Sequence, residues 1–382
     1  MRFPTPFAAL LVIVGVPRDA EAQSRLARPV IDTVSGHIVR VTNNGPTTWT
    51  DTNGWKLVYE RTIQPPDGTP GMLEKPAGVV LLDGGQLITW GDWQHPSITL
   101  YDAHGGLERE LGRVGDGPGE YRSVEVGLVH DTLIIQDQKL GRVTLMTVNG
   151  RLVRSFQSVC CAYPGAVGTG GRLIRITAGA GEWHLFDFAG QPRGVFAAPQ
   201  ARKASAWEFR TSGGSGRADI PFGGLNRQLQ LANGSIVYGI TNRSEFLVTN
   251  NGKDTARIFG TRHDPAVVIP DPMRDSMFRA FTRQPEVAAV AHPSDVPTTY
   301  PLWDALYHDG AGNIWLQRGG MYGTAVRRFD VFAADGRLLG AVSAPLMKPV
   351  ALAWSRDHLA VLDQDDNDLP RIRIFRVDRR GH

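Results

Sequence analysis

From Gly78 onward the chain alternates short apolar runs with tight polar turns. One stretch reads Gly78-Val-Val-Leu-Leu, then Asp83-Gly84-Gly85, then Gln86-Leu-Ile-Thr-Trp90. A second pair of runs follows, Ser97-Ile-Thr-Leu-Tyr-Asp102, then His104-Gly105-Gly106, then Leu107-Glu-Arg-Glu-Leu111. Asn-Gly and Asp-Gly between apolar runs are hairpin signals, because their central residues tolerate positive φ. They recur at Asn149-Gly150, Asn233-Gly234, Asn251-Gly252 and Asp335-Gly336. The runs group in fours with a period of roughly 40 residues, the pattern of radially repeated four-stranded sheets. The units cover residues 78–113, 123–157, 164–198, 226–260 and 302–345, and a last one begins at Pro349.

That last unit has only three strand-like runs, at 349–354, 358–363 and 371–377. Its missing outer strand is expected from residues 55–63, which have strand composition and sit just before the first unit. Asp67-Gly68-Thr69-Pro70-Gly71 follows this segment as Asp116-Gly117-Pro118-Gly119-Glu120 follows the first unit's outer strand, so the two hold equivalent places. The predicted fold is all-β, a six-bladed β-propeller of four-stranded blades closed by an N-terminal strand, which leaves no exposed sheet edge at the join. A run at 36–41 adds to the rim. Residues 199–225, rich in Gly, Ser and Ala, read as a loop. Residues 261–301 carry one short helical insertion, with Asp271 as N-cap, Pro272 at the first helical position and Met273, Met277, Phe278 and Phe281 on one face.

The 382 residues are 42% hydrophobic and 21% charged, as in a folded globular chain. The net charge of +3 comes from scattered Arg and Lys rather than a basic stripe, which argues against a nucleic-acid partner. The N-terminus differs from the rest. Arg2, an apolar stretch over residues 7–16 and Ala20-Glu21-Ala22 have the order of a secretory signal peptide cut after Ala22. The expected division is therefore a signal peptide at 1–22, an N-terminal extension at 23–54 and the propeller at 55–382, with a periplasmic or secreted location. No later run is apolar enough to cross a membrane, and a monomer is expected. The cysteines, Cys160 and Cys161, are adjacent. They form either a strained vicinal disulfide or two unbridged thiols.

The segment Gly112-Arg113-Val114-Gly115-Asp116-Gly117-Pro118-Gly119-Glu120-Tyr121 resembles the bacterial extracytoplasmic six-bladed β-propeller family, which is similar to NHL-repeat and TolB-like propellers. Asp309-Gly-Ala-Gly-Asn313-Ile-Trp315 after the helical insertion and the Asp335-Gly336 turn look like further family features. The resemblance implies the fold and brings no catalytic residue set. Read physically, Gly115, Gly117, Pro118 and Gly119 shape a crossing between blades, with Glu120 capping backbone N–H groups.

In a propeller the blade-to-blade connections and each blade's central hairpin loop share one face, where binding is expected. Asp92, Trp93 and His95, Asp137, and Tyr322 are the candidate ligand-binding residues on these loops. Asp363, Asp365 and Asn367 match the alternate oxygen spacing of a calcium loop, so calcium is the cofactor to test. The match breaks at Asp368, where a Gly is required, and at Ile374, where a bidentate Glu is required. No nucleophile elbow, zinc-protease motif or phosphate loop is present. The reading is a binding module for a small molecule or a protein. One alternative is a metal-dependent, lactonase-like propeller enzyme working in the central channel, and another is a structural envelope scaffold.

Overall fold

The computed structural model describes residues 29–379 apart from 35–36, 44–46, 48, 50–53, 159–164, 168–172, 179–181, 232, 251–253, 261–265, 321–325 and 347–348. Cys160, Cys161, Tyr322 and the signal-peptide segment therefore lie outside the described residues. The chain opens with β1 (Val30–Val34), β2 (Ile38–Thr42) and β3 (Lys56–Ile63). Blade 1 is β4 (Pro76–Leu81), β5 (Leu87–Gly91), β6 (Ile98–Tyr101) and β7 (Leu107–Glu110). A short parallel pair follows, β8 (Arg113–Val114) and β9 (Glu120–Tyr121). Blade 2 is β10 (Glu125–Val129), β11 (Thr132–Asp137), β12 (Arg142–Thr147) and β13 (Leu152–Gln157). Blade 3 is β14 (Gly165–Val167), β15 (Leu173–Ala178), β16 (Glu182–Phe186) and β17 (Pro192–Ala197). The hairpin β18 (Ala206–Thr211) and β19 (Gly214–Asp219) precedes blade 4, which is β20 (Asn226–Gln230), β21 (Ile236–Ile240), β22 (Glu245–Thr249) and β23 (Thr255–Gly260). Helices α1 (Asp271–Phe281) and α2 (Pro285–Ala288) lead to blade 5, made of β24 (Trp303–His308), β25 (Ile314–Arg318), β26 (Arg327–Phe332) and β27 (Leu338–Ala344). Blade 6 takes β28 (Ala351–Trp354), β29 (His358–Gln364) and β30 (Pro370–Asp378) from the C-terminus.

The predicted six-bladed propeller is present, and β3 supplies the fourth strand of blade 6. β3 runs antiparallel to β30, from Lys56 opposite Asp378 to Ile63 opposite Ile372. The rim strand is also present. β2 pairs in parallel with β23 and carries β1 outside it, so blade 4 has six strands. Asn43 fastens this addition: its amide donates to the carbonyls of Gly260 and Gly336, and its oxygen accepts from Leu338 N–H.

Alternation along each strand sends one set of side chains to the preceding blade and the other to the next. The buried clusters accordingly sit at the blade seams. Blades 5 and 6 share Trp315, Phe329, Leu359, Val361 and Phe375, with Trp354 against them. Blades 6 and 1 share Ile63, Val79, Leu81, Ala353, Ala360, Leu362 and Ile374. Blades 3 and 4 share a smaller set, Trp183, Ala198 and Ile236.

Two expectations are corrected. Residues 199–225 are not a loop throughout, since β18 and β19 form a hairpin turning at Ser212-Gly213. Trp207 and Phe209 alternate inward on β18, while the Gly-Ser-Gly opening of β19 carries no β-branched strand signal. The helix cap is also one residue earlier: Pro270 is the N-cap of α1 and Asp271 lies in its first turn. The two insertions pack together rather than separately. Phe278 and Phe281 of α1 lie 6.2 and 6.4 Å from the Trp207 ring, and Trp207 Nε1 donates to Asp295 at 2.9 Å. That N–H, with the His292 backbone N–H, holds Asp295 below the usual carboxylate range.

Candidate functional site

The hairpin turns explain much of the acidic loop. Asp102, Asp187 and Asp309 each open a five-residue turn in which one carboxylate oxygen accepts two backbone N–H groups further along. The N–H of each turn's fourth residue donates to the carbonyl of the first, and those fourth residues are Gly105, Gly190 and Gly312 with φ of 91°, 77° and 88°. Asp365 opens the same turn. Its Oδ1 accepts from Asn367 N–H at 2.9 Å and Leu369 N–H at 3.0 Å, and Asp368 N–H donates to its carbonyl at 3.0 Å. Asp368 occupies the glycine position, with φ of 60°. Gln64 Nε2 donates to the other Asp365 oxygen, and this bond, with the turn's backbone donors, holds Asp365 below the usual carboxylate range. The Asp365 and Asn367 spacing is thus the spacing of a capped turn.

Asp137 is the last residue of the second strand of blade 2 and Asp363 the last but one of the second strand of blade 6, and they are 2% and 1% exposed. Their carboxylates are engaged differently. Asp137 accepts from Arg122 N–H at 2.6 Å, Ser123 Oγ at 2.9 Å and Leu140 N–H at 3.1 Å, so it braces the blade 1–2 connection against its own loop. Asp363 accepts from Arg371 Nε at 2.9 Å and from the Arg373 guanidinium, both on the neighbouring β30. Among the described residues no three His, Cys, Asp or Glu side chains are grouped to hold a metal ion.

Asp92 folds its own loop. Its Oδ1 accepts from the backbone N–H groups of Gln94 and His95 and faces His95 Nδ1 at 2.9 Å. Desolvation would raise its pKa, but the His95 and Gln94 bonds together bring it below the usual range. Asp92 N–H donates to the carbonyl of Lys75, a residue with φ of 42°. Trp93 is 51% exposed. Lys139 of blade 2 lies over its ring at 4.7 Å and donates to its carbonyl at 3.0 Å, so this pair links two loops of the face.

The Gly-Pro-Gly-Glu segment serves its crossing. Glu120 accepts from Gly117 N–H at 2.7 Å and from Arg113 Nε at 2.6 Å, and the Gly117 and Arg113 bonds lower its pKa. A Cβ on Gly115 would lie 2.2 Å from Glu120 Oε2, which accounts for the glycine there. The buried Tyr121 hydroxyl accepts from Ile98 N–H and donates to the Leu111 carbonyl, and burial pushes its pKa up to about 12.

A cleft of about 670 Å³ opens where blade 6 meets blade 1. Its apolar walls include Met72, Leu73, Val350 and Leu362, and its polar lining includes Asp67, Glu74, Lys75, Asp92, Asp363 and Asp368. The fold thus brings Asp92 and Asp363 into one cleft and places Asp137 elsewhere. From the sequence, Asp67, Glu74 and Asp368 had been given no part in a site. The signal that could have found the first two is the repeat itself, because residues 64–75 are a blade-to-blade connection and so belong to the binding face.

No family model matches the chain, and no curated protein matches it. The kinship suggested by residues 112–121 therefore stands as a resemblance alone. Among solved structures, a member of the DUF4221 family from Bacteroides vulgatus aligns with TM-score 0.48 at 11% identity, over 86% of this chain and 99% of that one. A putative exported protein from Bacteroides fragilis aligns with TM-score 0.48 at 10% identity, over 86% and 98%. The virginiamycin B lyase of Staphylococcus aureus gives 0.44 at 12% identity, over 85% and 100%. These likenesses assign nothing to the chain beyond what its own sheets show. No helix among the described residues is long and apolar enough to cross a membrane.

Proposed function

We propose that this protein is an extracytoplasmic binding module whose ligand enters the cleft between blades 6 and 1. The observation that carries this reading is the cleft itself. Its volume lies in the range of small-ligand sites, it combines apolar walls with a few polar groups, and it lies beside blade-to-blade connections. The other candidates are committed to the fold: Asp137 to backbone donors, Asp363 to two arginines, and Asp365 to its turn.

The test is a thermal-shift screen of the mature protein against small molecules and short peptides, repeated with Val350→Trp. Val350 lines the cleft and is 52% exposed, so the larger ring fills the opening without entering a core. Stabilising ligands should lose their effect in the variant, since a ligand raises the melting temperature only by binding the native state. Hits that stabilise both proteins equally would place binding elsewhere. The export part of the proposal is checked by N-terminal sequencing of exported material, which should begin at Gln23.

A further inference from the structure

We propose that the opposite face of the ring holds a second site, between blades 4 and 5, which binds a small carboxylic acid with its carboxylate at Arg257, Asn233 and Asn250. It is independent of the cleft between blades 6 and 1. A cavity of about 260 Å³ lies where the first and last hairpin turns of blade 4 meet those of blade 5. These turns lie at the end of the ring away from the blade-to-blade connections. Leu231, Val248 and Ile314 form the apolar wall of the cavity, and all three are buried. The volume is just below the range of drug-sized pockets, so the guest is small.

The polar lining consists of donors. Asn233 Oδ1 accepts from Ser235 N–H at 2.9 Å, and Asn250 Oδ1 accepts from Ser235 Oγ at 2.9 Å. One buried serine thereby takes up both amide oxygens. Each asparagine is left with its amide N–H groups, and neither set bonds a described residue. Arg257 is fixed through Nη1, which donates to the Ala334 carbonyl across the seam at 2.8 Å. The same clamp joins other blades, from Arg61 to the Ala103 carbonyl, from Arg109 to that of Asn149 and from Arg154 to that of Ala189. It uses one arm of the guanidinium fork. Arg257 Nε is buried and meets no acceptor, and none of the described lining residues is acidic. A fixed guanidinium and two amide donors around one space call for a negatively charged acceptor, and the planar fork matches a carboxylate. The apolar wall favours a carboxylate on a short alkyl tail over a bare inorganic anion, because the tail leaves water on burial against Leu231, Val248 and Ile314.

The experiment is calorimetric titration of the mature protein with sodium pentanoate, with pentanamide, which shares the tail without the charge, and with sodium sulfate, which has charge without a tail. We expect saturable one-to-one binding of pentanoate, weaker binding of sulfate and no binding of pentanamide. Asn250→Asp should weaken pentanoate binding at least about tenfold, because it sets an anionic oxygen where a donor stood. It keeps the acceptor for Ser235, so the melting temperature should move by less than about 2 °C. Asn233→Asp should behave alike, since Asp102, Asp187 and Asp309 make the equivalent bond in their own turns. Pentanoate binding unchanged in both variants would overturn the inference, and so would a large fall in either melting temperature, which would show the amide groups to serve the fold. Equal binding of pentanamide would remove the charge selection, and tighter binding of sulfate would remove the carboxylic acid as the ligand class. Val350→Trp should leave pentanoate binding intact, and its loss there would move the acid to the other cleft and sink the second site. Absence of pentanoate binding at about 10 mM, the weak end of specific affinity, would do the same.

Discussion

Blade 6 has two unlike faces. Toward blade 5 it presents Leu352, Trp354, Val361 and Phe375, and toward blade 1 it presents Ala351, Ala353, Ala360 and Ile374. On the first side Trp354 packs against Trp315 with ring centroids 4.3 Å apart and the planes tilted by 33°, and Phe329 and Tyr307 surround the pair. The second side has small and aliphatic residues, and the cleft opens at that seam. The C-terminal end also leans on the aromatic side. Arg379 pairs with the buried Asp309 of blade 5 at 3.0 Å and lies over the Trp55 ring at 4.7 Å, while Trp315 Nε1 donates to the same carboxylate. The contrast teaches a division of labour within one closed ring. The seam toward blade 5 is filled with rings, while the seam toward blade 1 is mostly aliphatic, with Tyr101 as its buried ring, and leaves room for a guest.

The contrast can be broken from its strong side first. Removing β3 by deleting residues up to Ile63 should expose β30 as an edge and cause aggregation, whereas deletion up to Pro29 should be mild. Light scattering during expression and refolding reads the difference. Trp315→Ala should cost about 4 kcal/mol in denaturant unfolding, as large aromatic truncations in packed cores do. Asp309→Ala should cost about 2–3 kcal/mol, because Arg379 and the Trp315 N–H each lose a partner. On the aliphatic side, Ala360→Leu should cost only about 1–2 kcal/mol by overpacking. A cost equal to that of Trp315→Ala would show the two seams to be equally tight.

The smallest expected effect concerns Glu125, at the start of the inner strand of blade 2. Desolvation raises its pKa, so the folded state holds its proton more tightly than the unfolded chain does. Stability is then greatest below the usual carboxylate range and falls as pH rises through the folded value. Glu125→Gln should relieve this penalty at neutral pH and change little at pH 4. Unfolding curves of the two proteins at both pH values check the sign.

The repeat was legible because each strand signal is local: alternation, then a turn with Gly at the residue that needs positive φ. The closure was legible because the last unit lacked one strand and residues 55–63 had a strand's composition. The hairpin β18–β19 was not, since Gly214-Ser-Gly216 has no β-forming character and is held by packing of Trp207 against a helix some seventy residues away in sequence, a distance no local pattern encodes. Asp137 and Asp363 could be placed near equivalent strand ends from sequence, and Arg371 lies opposite Asp363 in the register. Their opposite uses depend on what reaches them, a connection's backbone in one case and two guanidiniums in the other. The cleft was hidden for the same reason. It forms between a connection near one end of the chain and a turn near the other.

The most direct test of the central claim is hydrogen exchange of the mature protein with and without a saturating stabiliser from the thermal-shift screen, read segment by segment. The account predicts slower exchange in residues 64–75 and in the 365–370 turn, with blades 2 to 5 unchanged. Protection confined to the loops of other blades, or to the β18–β19 hairpin and its helices, would contradict it.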